Sequence, residues 1–281
     1  MIQKNDISRE NLKDNIMKMI IFRLDYQGMI DSTDFVKIFK EKFSKSFSDY
    51  CKNAQSSVDL EITNVEDISN TLSIPISEIQ RQDVHRFTGN TFGTDKLTLD
   101  ISVYSSVLQI ECINYVNLNP YIDFITSYIN LLMETNEYLS LKRFGLRKIG
   151  SNVYFDFNEI HKDFEINIFK FDKQIEGNFS LVRNRVEEVL LQDDLELKIN
   201  FVRYLDTGFY FDPQTSEEKK AYQVTLDLDA YLDETSLLKN NYRSDLIKLI
   251  PEINNKYLFN LFKLSVTEDF LNNNLVNYEQ Y

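Results

Sequence analysis

Leu141-Lys142-Arg143-Phe144-Gly145-Leu146-Arg147-Lys148-Ile149 sets two arginines and a glycine at alternate positions, directly after a long amphipathic segment. In an extended strand alternate residues share a face, so Arg143, Gly145 and Arg147 point one way and Phe144 and Leu146 the other. Two cations flanking a residue with no side chain leave room for a carboxylate, a phosphate or another backbone. Two readings of the arginines stand side by side. Either they pair with carboxylates of a neighbouring strand or helix, such as Asp100 or Glu111, or they hold a ligand or partner.

Outward from this strand, the pattern predicts a fold of strands and helices. Upstream, Asn119-Pro120 starts a helix that runs to about Tyr138, with Phe124, Ile125, Tyr128, Ile129 and Leu132 on one face. Lys96 to Val103 alternates, with Leu97, Leu99, Ile101 and Val103 facing in, and Val107 to Tyr115 returns as its partner across a turn at 104–106. Residues 18–26 are mostly apolar and read as a central strand closed by Gly28. A helix capped by Asp31 or Ser32 then runs to about Tyr50, carrying Phe35, Phe39, Phe43 and Phe47 as one stripe; at least three of these belong in a core, with a ligand pocket as the alternative. Residues 57–63 and 83–88 read as short strands, with a polar stretch between them.

Downstream, 179–189 reads as a strand, with a helix carrying Leu181, Arg185 and Glu188 on one side as the alternative, and 195–201 and 221–229 alternate strictly. The charged, proline-bearing stretch between them, 210–220, reads as a loop. A long helix is expected from about Ser244 or Pro251 to Leu264, and Thr267-Glu268-Asp269 reads as the cap and first turn of another. The expectation is therefore an α+β protein, with antiparallel sheets covered by long helices. Residues 1–150 and 151–281 form an N-terminal and a C-terminal half packed as one unit. Each half is a run of strands followed by a long helix, so an internal duplication is an open alternative.

Composition narrows the chemistry. The chain has 281 residues, 43% of them hydrophobic, which is ample for a large core, and a formal charge of −13 that disfavours nucleic acid and anionic membrane on average. Such acidity serves solubility and also suits a basic protein partner. Cys51 and Cys112 form no CxxC pair, and Cys112 reads as a small buried hydrophobe. The polar, acid-bearing start does not resemble a secretory signal, and no stretch is apolar enough to span a membrane, so a cytoplasmic location is expected. HExxH, nucleophile-elbow, Walker and dinucleotide-turn patterns are all absent from the sequence. His85 beside Arg86 is a candidate general base or phosphate contact, or an ordinary satisfied histidine. Asp227 and Asp229, two apart with Thr225, read as a solvated strand face or as carboxylates for Mg²⁺ or Ca²⁺. No metal or cofactor is expected.

The Arg143-x-Gly145-Leu146-Arg147-x-Ile149 pattern resembles the central motif of a sporadically distributed bacterial family of unknown function, whose strand commonly reads Arg-Ile-Gly-Leu-Arg-Tyr-Ile. That family's C-terminal helix ends in a Leu-Phe-x-x-Ser-Ile-Thr-Asp pattern, matched here by Leu261-Phe262-Lys-Leu-Ser265-Val-Thr267-Glu268. The chain departs from the family at Lys148, where an aromatic is usual, and at Lys256, where a small residue is usual. The resemblance implies no activity. Its sporadic distribution implies an accessory system such as antiviral defence or toxin control. The functional expectation is a non-enzymatic binding or regulatory protein, with self-association left open. The alternative is an enzyme or sensor for a phosphorylated small molecule, using Arg143, Gly145, Arg147, His85 and Arg86.

Overall fold

The computed structural model of the chain describes residues 3–13, 16–29, 31–57, 80–90, 95–112, 118–169, 181–212, 215–239 and 246–275. Its first half comprises β1 (Met17–Gln27), α1 (Ser32–Phe43), β2 (Asp49–Ser57), β3 (Gln80–Gly89), β4 (Lys96–Ile101), β5 (Ser105–Glu111) and α2 (Asn119–Thr135). The second comprises β6 (Ser140–Tyr154), α3 (Ile160–Asp163), β7 (Arg183–Gln192), β8 (Leu197–Asp212), β9 (Glu217–Asp233), α4 (Glu234–Lys239), α5 (Leu246–Glu252), α6 (Phe259–Ser265) and α7 (Glu268–Asn273). The described strands form one nine-stranded sheet in the order β2-β3-β4-β5-β1-β6-β9-β8-β7. Every neighbouring pair is antiparallel.

A single sheet thus replaces the several expected, and its strands run through both halves. The boundary expected at residue 150 falls inside β6, which pairs with β1 on one side and β9 on the other. The chain leaves central β1, crosses α1 to the edge at β2, and returns by a meander to β5. From β6 it crosses α3 to the opposite edge at β7 and returns by a meander to β9.

Period-2 alternation decides the two faces. Ile20, Phe22 and Leu24 of β1, Phe144 and Leu146 of β6, and Leu226, Leu228 and Ala230 of β9 are fully buried in one core with α1, α2, α5 and α6. The opposite face carries the odd-numbered residues of β1, β6 and β9, and is half-buried or exposed along most of its length. The phenylalanine stripe lies in the core: Phe35, Phe39 and Phe43 are buried, and Phe47 packs partly buried against them. The helix ends sooner than expected, because the chain turns after Phe43 and enters β2 at Asp49. Phe47 still reaches Phe39, Phe87 and Phe124 from that turn. Gly28 closes β1 with φ +94°, where a Cβ would stand 2.1 Å from the Tyr138 carbonyl oxygen, so the turn admits glycine alone.

Three other expectations change. Residues 210–212 and 217–220 are strand where a loop was expected: β8 and β9 pair from Lys198–Tyr231 out to Asp212–Glu217, a turn remains at 215–216, and 213–214 lie outside the described residues. The strand expected at 57–63 lies outside the described residues except for Ser57, which ends β2. The long C-terminal helix is α5 and α6 joined by a π-helical turn, Ile253–Leu258, that begins two residues after Pro251. Proline has no N–H for the α ladder, and the wider turn follows it. Lys256 sits on this π turn and bonds Glu252. Thr267 caps α7 as expected, accepting from the Phe270 N–H.

Lys148 faces the core and is buried beside Arg9 and Cys112. Burial first, then repulsion by Arg9, holds its ammonium group well below the ordinary lysine range. Burial likewise pushes the Cys112 thiol up to about 12, as befits a small core hydrophobe. A base with a depressed folded pKa binds fewer protons folded than unfolded, so its contribution to stability is complete above the unfolded pKa and is lost as pH falls toward the folded one. Lys148→Met removes this linkage. Chemical denaturation of both proteins should show the methionine variant ahead at neutral pH and the difference shrinking toward pH 10.5, the ordinary lysine value. A difference independent of pH would mean that Lys148 is not held neutral.

Candidate functional site

β6 lays Arg143, Gly145 and Arg147 along the open face, with Tyr231 of β9 opposite Gly145 and Asp229 opposite Arg147. The two arginines do not bond the residues directly across. Arg147 leans one same-face position along and grips Asp227 with both arms, Nε to Oδ1 at 2.7 Å and Nη2 to Oδ2 at 2.5 Å. Arg143 stands opposite Asp233 but reaches Asp229 at 2.8 Å, two same-face positions along. Its guanidinium crosses the Tyr231 ring at 4.1 Å on the way. The lane it uses is the space above Gly145, where a Cβ would lie 3.5 Å from Arg143 Nε and from Tyr231 Cβ. Alanine fits this lane; a longer side chain blocks it. The glycine of the motif therefore admits the chain's own arginine, where the sequence left open a carboxylate, a phosphate or another backbone.

Pairing with a neighbouring strand is borne out, but the partners are the carboxylates of β9. Asp100 is taken by Arg86 in a bidentate pair at 2.7 Å on each arm, and Glu111 by Lys96 and Gln109. Asp227 and Asp229 are thus guanidinium partners, and among the described residues no group of three or more His, Cys, Asp or Glu side chains could hold a metal ion. Hydrogen bonding to Asp227 raises the Arg147 guanidinium further. Asp229 is raised despite its two arginines, because burial outweighs their attraction. Lys198 and the Ser236 N–H hold Asp233 down at about 2.

The histidine lies elsewhere. His85 is buried on the helix-covered face, with Nε2 3.3 Å from Ser32 Oγ and Nδ1 2.9 Å from Tyr50 Oη. Both ring nitrogens are occupied, and burial lowers its pKa. It fastens the start of α1 to β2 and β3. Arg86, one residue on, necessarily points to the opposite face. β3 stands four strands from β6, roughly 19 Å at the usual strand spacing. His85 and Arg86 therefore form no common site with Arg143, Gly145 and Arg147.

Two arginines of β7 do join Arg147. Arg183 and Arg185 stand on the same face, and with Tyr204, Asp206 and Asp227 they line a hollow of about 370 Å³. Arg183 bonds Asp206 at 2.5 Å, and Arg185 bonds Glu187 at 2.9 Å. Their two-residue spacing repeats the signal that drew attention to β6. What the sequence lacked was the strand order that brings β7 within reach. A second hollow, about 270 Å³, lies over Phe39, Phe43, Phe47 and Phe87 beside Tyr50, whose ring carries Lys40 Nζ 3.2 Å from its centroid. No helix among the described residues is long and apolar enough to cross a membrane. No family model, curated protein or solved structure matches the chain.

The planar fork of Arg147 fits both oxygens of Asp227, a geometry that lysine cannot reproduce. A double-mutant cycle on Arg147 and Asp227 should give a coupling of about 1 kcal/mol, and Arg147→Lys should lose most of it although the charge remains. Equal stability of wild type and Arg147→Lys would show that only charge matters there.

Proposed function

We propose that this chain is a non-enzymatic binding protein of regulatory role that receives a protein partner on the open face of its sheet. The observation that carries this reading is the asymmetry of the sheet. One face lies under helices, whereas the other presents Arg147–Asp227, Arg143–Asp229 and Arg86–Asp100 as a fixed charge pattern with Tyr231 among them. Groups locked in ion pairs are pre-ordered, so a partner loses less freedom in meeting them. The formal charge of −13 favours a basic partner. The family resemblance, with its sporadic distribution, makes an accessory bacterial system such as antiviral defence or toxin control the setting, in the cytoplasm. The two matching strand paths, from β1 by a helix to one edge and from β6 by a helix to the other, support a fold of two related halves. The long helices over the core belong to the same reading.

A second reading has its own observation. Arg147, Arg183 and Arg185 converge on one hollow, which suits the phosphate of a small molecule if a guanidinium exchanges its carboxylate for the ligand. One experiment separates the two. The tagged chain is used to capture proteins and small molecules from its native cell, alongside Tyr231→Ser on the open face and Leu264→Ser on exposed helix surface. The first reading expects a protein that is retained by Leu264→Ser and reduced by Tyr231→Ser. A captured protein indifferent to Tyr231, or lost only with Leu264, overturns the open-face assignment. A phosphorylated compound lost with Arg183→Ala, with no protein captured, transfers the conclusion to the second reading.

A further inference from the structure

The strand β7 ends the sheet, and among the described residues nothing pairs with its outer edge. Its pairing with β8 runs from Arg183–Asp206 to Gln192–Leu197 without a register shift, so no bulge twists the edge away. It contains no proline, lysine or glycine. Natural edge strands are normally guarded by such devices. Here the edge instead exposes apolar side chains at both ends: Leu181 (42%) and Val182 (69%) before the strand, Val189 (65%), Leu190 (37%) and Leu191 (57%) at its close. Between them lie two cations, Arg183 and Arg185, followed by two anions, Glu187 and Glu188.

We propose that β7 pairs antiparallel with β7 of a second copy, about a two-fold axis at Val186. Run against itself in this register, the edge complements itself at nearly every position. Arg185 meets Glu187 of the other copy, Asn184 meets Glu188, Leu190 meets Val182, and Leu191 meets Leu181. Val186 meets itself. The apolar ends cover one another, and cation faces anion on both sides of the axis.

Backbone geometry supplies an independent check. The Val182 carbonyl accepts from the Thr207 N–H at 2.8 Å, so even-numbered residues direct their backbone groups toward β8. Odd-numbered residues therefore direct theirs outward. An axis at Val186 sets odd opposite odd, so Arg185 and Glu187, Arg183 and Val189, and Leu181 and Leu191 exchange main-chain hydrogen bonds between copies. An axis shifted by half a residue would set outward groups against inward ones and form no ladder. Arg185 and Glu187 now bond within one copy, both largely exposed, and can exchange partners without loss of pairing. Because the axis is normal to the sheet, both open faces lie on the same side, and the two arginine hollows flank the junction.

Sedimentation velocity of the full chain over a concentration series tests this, with circular dichroism as the check on folding. Wild type should form a dimer. Arg185→Glu and Glu187→Arg, each placing like charges opposite one another twice, should each weaken association by about tenfold or more. The swapped double variant, Arg185→Glu with Glu187→Arg, restores the complement and should recover the dimer. These side chains are exposed, so the variants should fold; Leu191→Ser, also exposed, removes apolar cover without touching the charge pairs and should weaken association too. A wild type that stays monomeric up to roughly 100 μM, or a dimer indifferent to all the single changes, overturns the proposal. So does failure of the double variant to recover, since it shows that the two charges do not face each other.

Discussion

The structure depends on β6 serving two environments at once. Its even-numbered side chains, Phe144 and Leu146, are wholly buried under the helices, while its odd-numbered arginines meet solvent and carboxylates on the far side. It is also the only described strand of the second half that pairs with the first, through β1. A one-residue slip of β6 against either neighbour would drive Arg143 and Arg147 into the core and expose Phe144 and Leu146, so its register is held by desolvation of both kinds of group. The core behind it is large, and the Phe22–Phe144 edge-to-face contact at 5.5 Å ties the seam to the central strand.

The open face follows from the same arrangement. A sheet covered on one side must leave polar side chains on the other, and a polar face with unpaired charges would repel itself. Cross-strand pairing neutralises it locally, though the chain as a whole stays acidic. The pairs differ in kind. Arg147 with Asp227 is bidentate and half-sheltered, whereas Arg143 crosses Gly145 and Tyr231 to a carboxylate whose burial outweighs the attraction of its arginines. Sheltered charges of this sort favour specificity of register over raw stability. In the proposed function, this prior ordering is what lowers the cost of meeting a partner.

Much of this was legible in the residues. Strict alternation at 96–103, 195–201 and 221–229 marked strands, because each has one face in the core, although β4 stops at Ile101 and β8 starts only at Leu197. The run at 18–26 read as central, and β1 is the middle strand of nine. Other features were hidden for definite reasons. The spacing of Phe47 continues the α1 stripe, yet it reaches the same core from a turn, so periodicity overran the helix end. The ends of β8 and β9, 210–212 and 217–220, looked like parts of a loop because a two-stranded ribbon with largely exposed side chains needs no apolar alternation. Asp100 and Glu111 suit the arginines only on the assumption that their strands neighbour β6, whereas long-range pairing sets β1 and β9 beside it. Adjacency likewise joined His85 to Arg86, although neighbours on a strand face opposite ways.

The central claim is that β6 makes one cooperative body of the two halves, and native-state hydrogen exchange of the full chain at increasing denaturant tests it most directly. The account predicts that the backbone amides of β6 and β9 that bond within the sheet exchange through the same opening as those of β1. They should share its free energy and its denaturant dependence. If β7, β8 and β9 instead exchange together through a separate, lower-energy opening while β1 to β5 stay protected, the seam does not unite the sheet and the account fails.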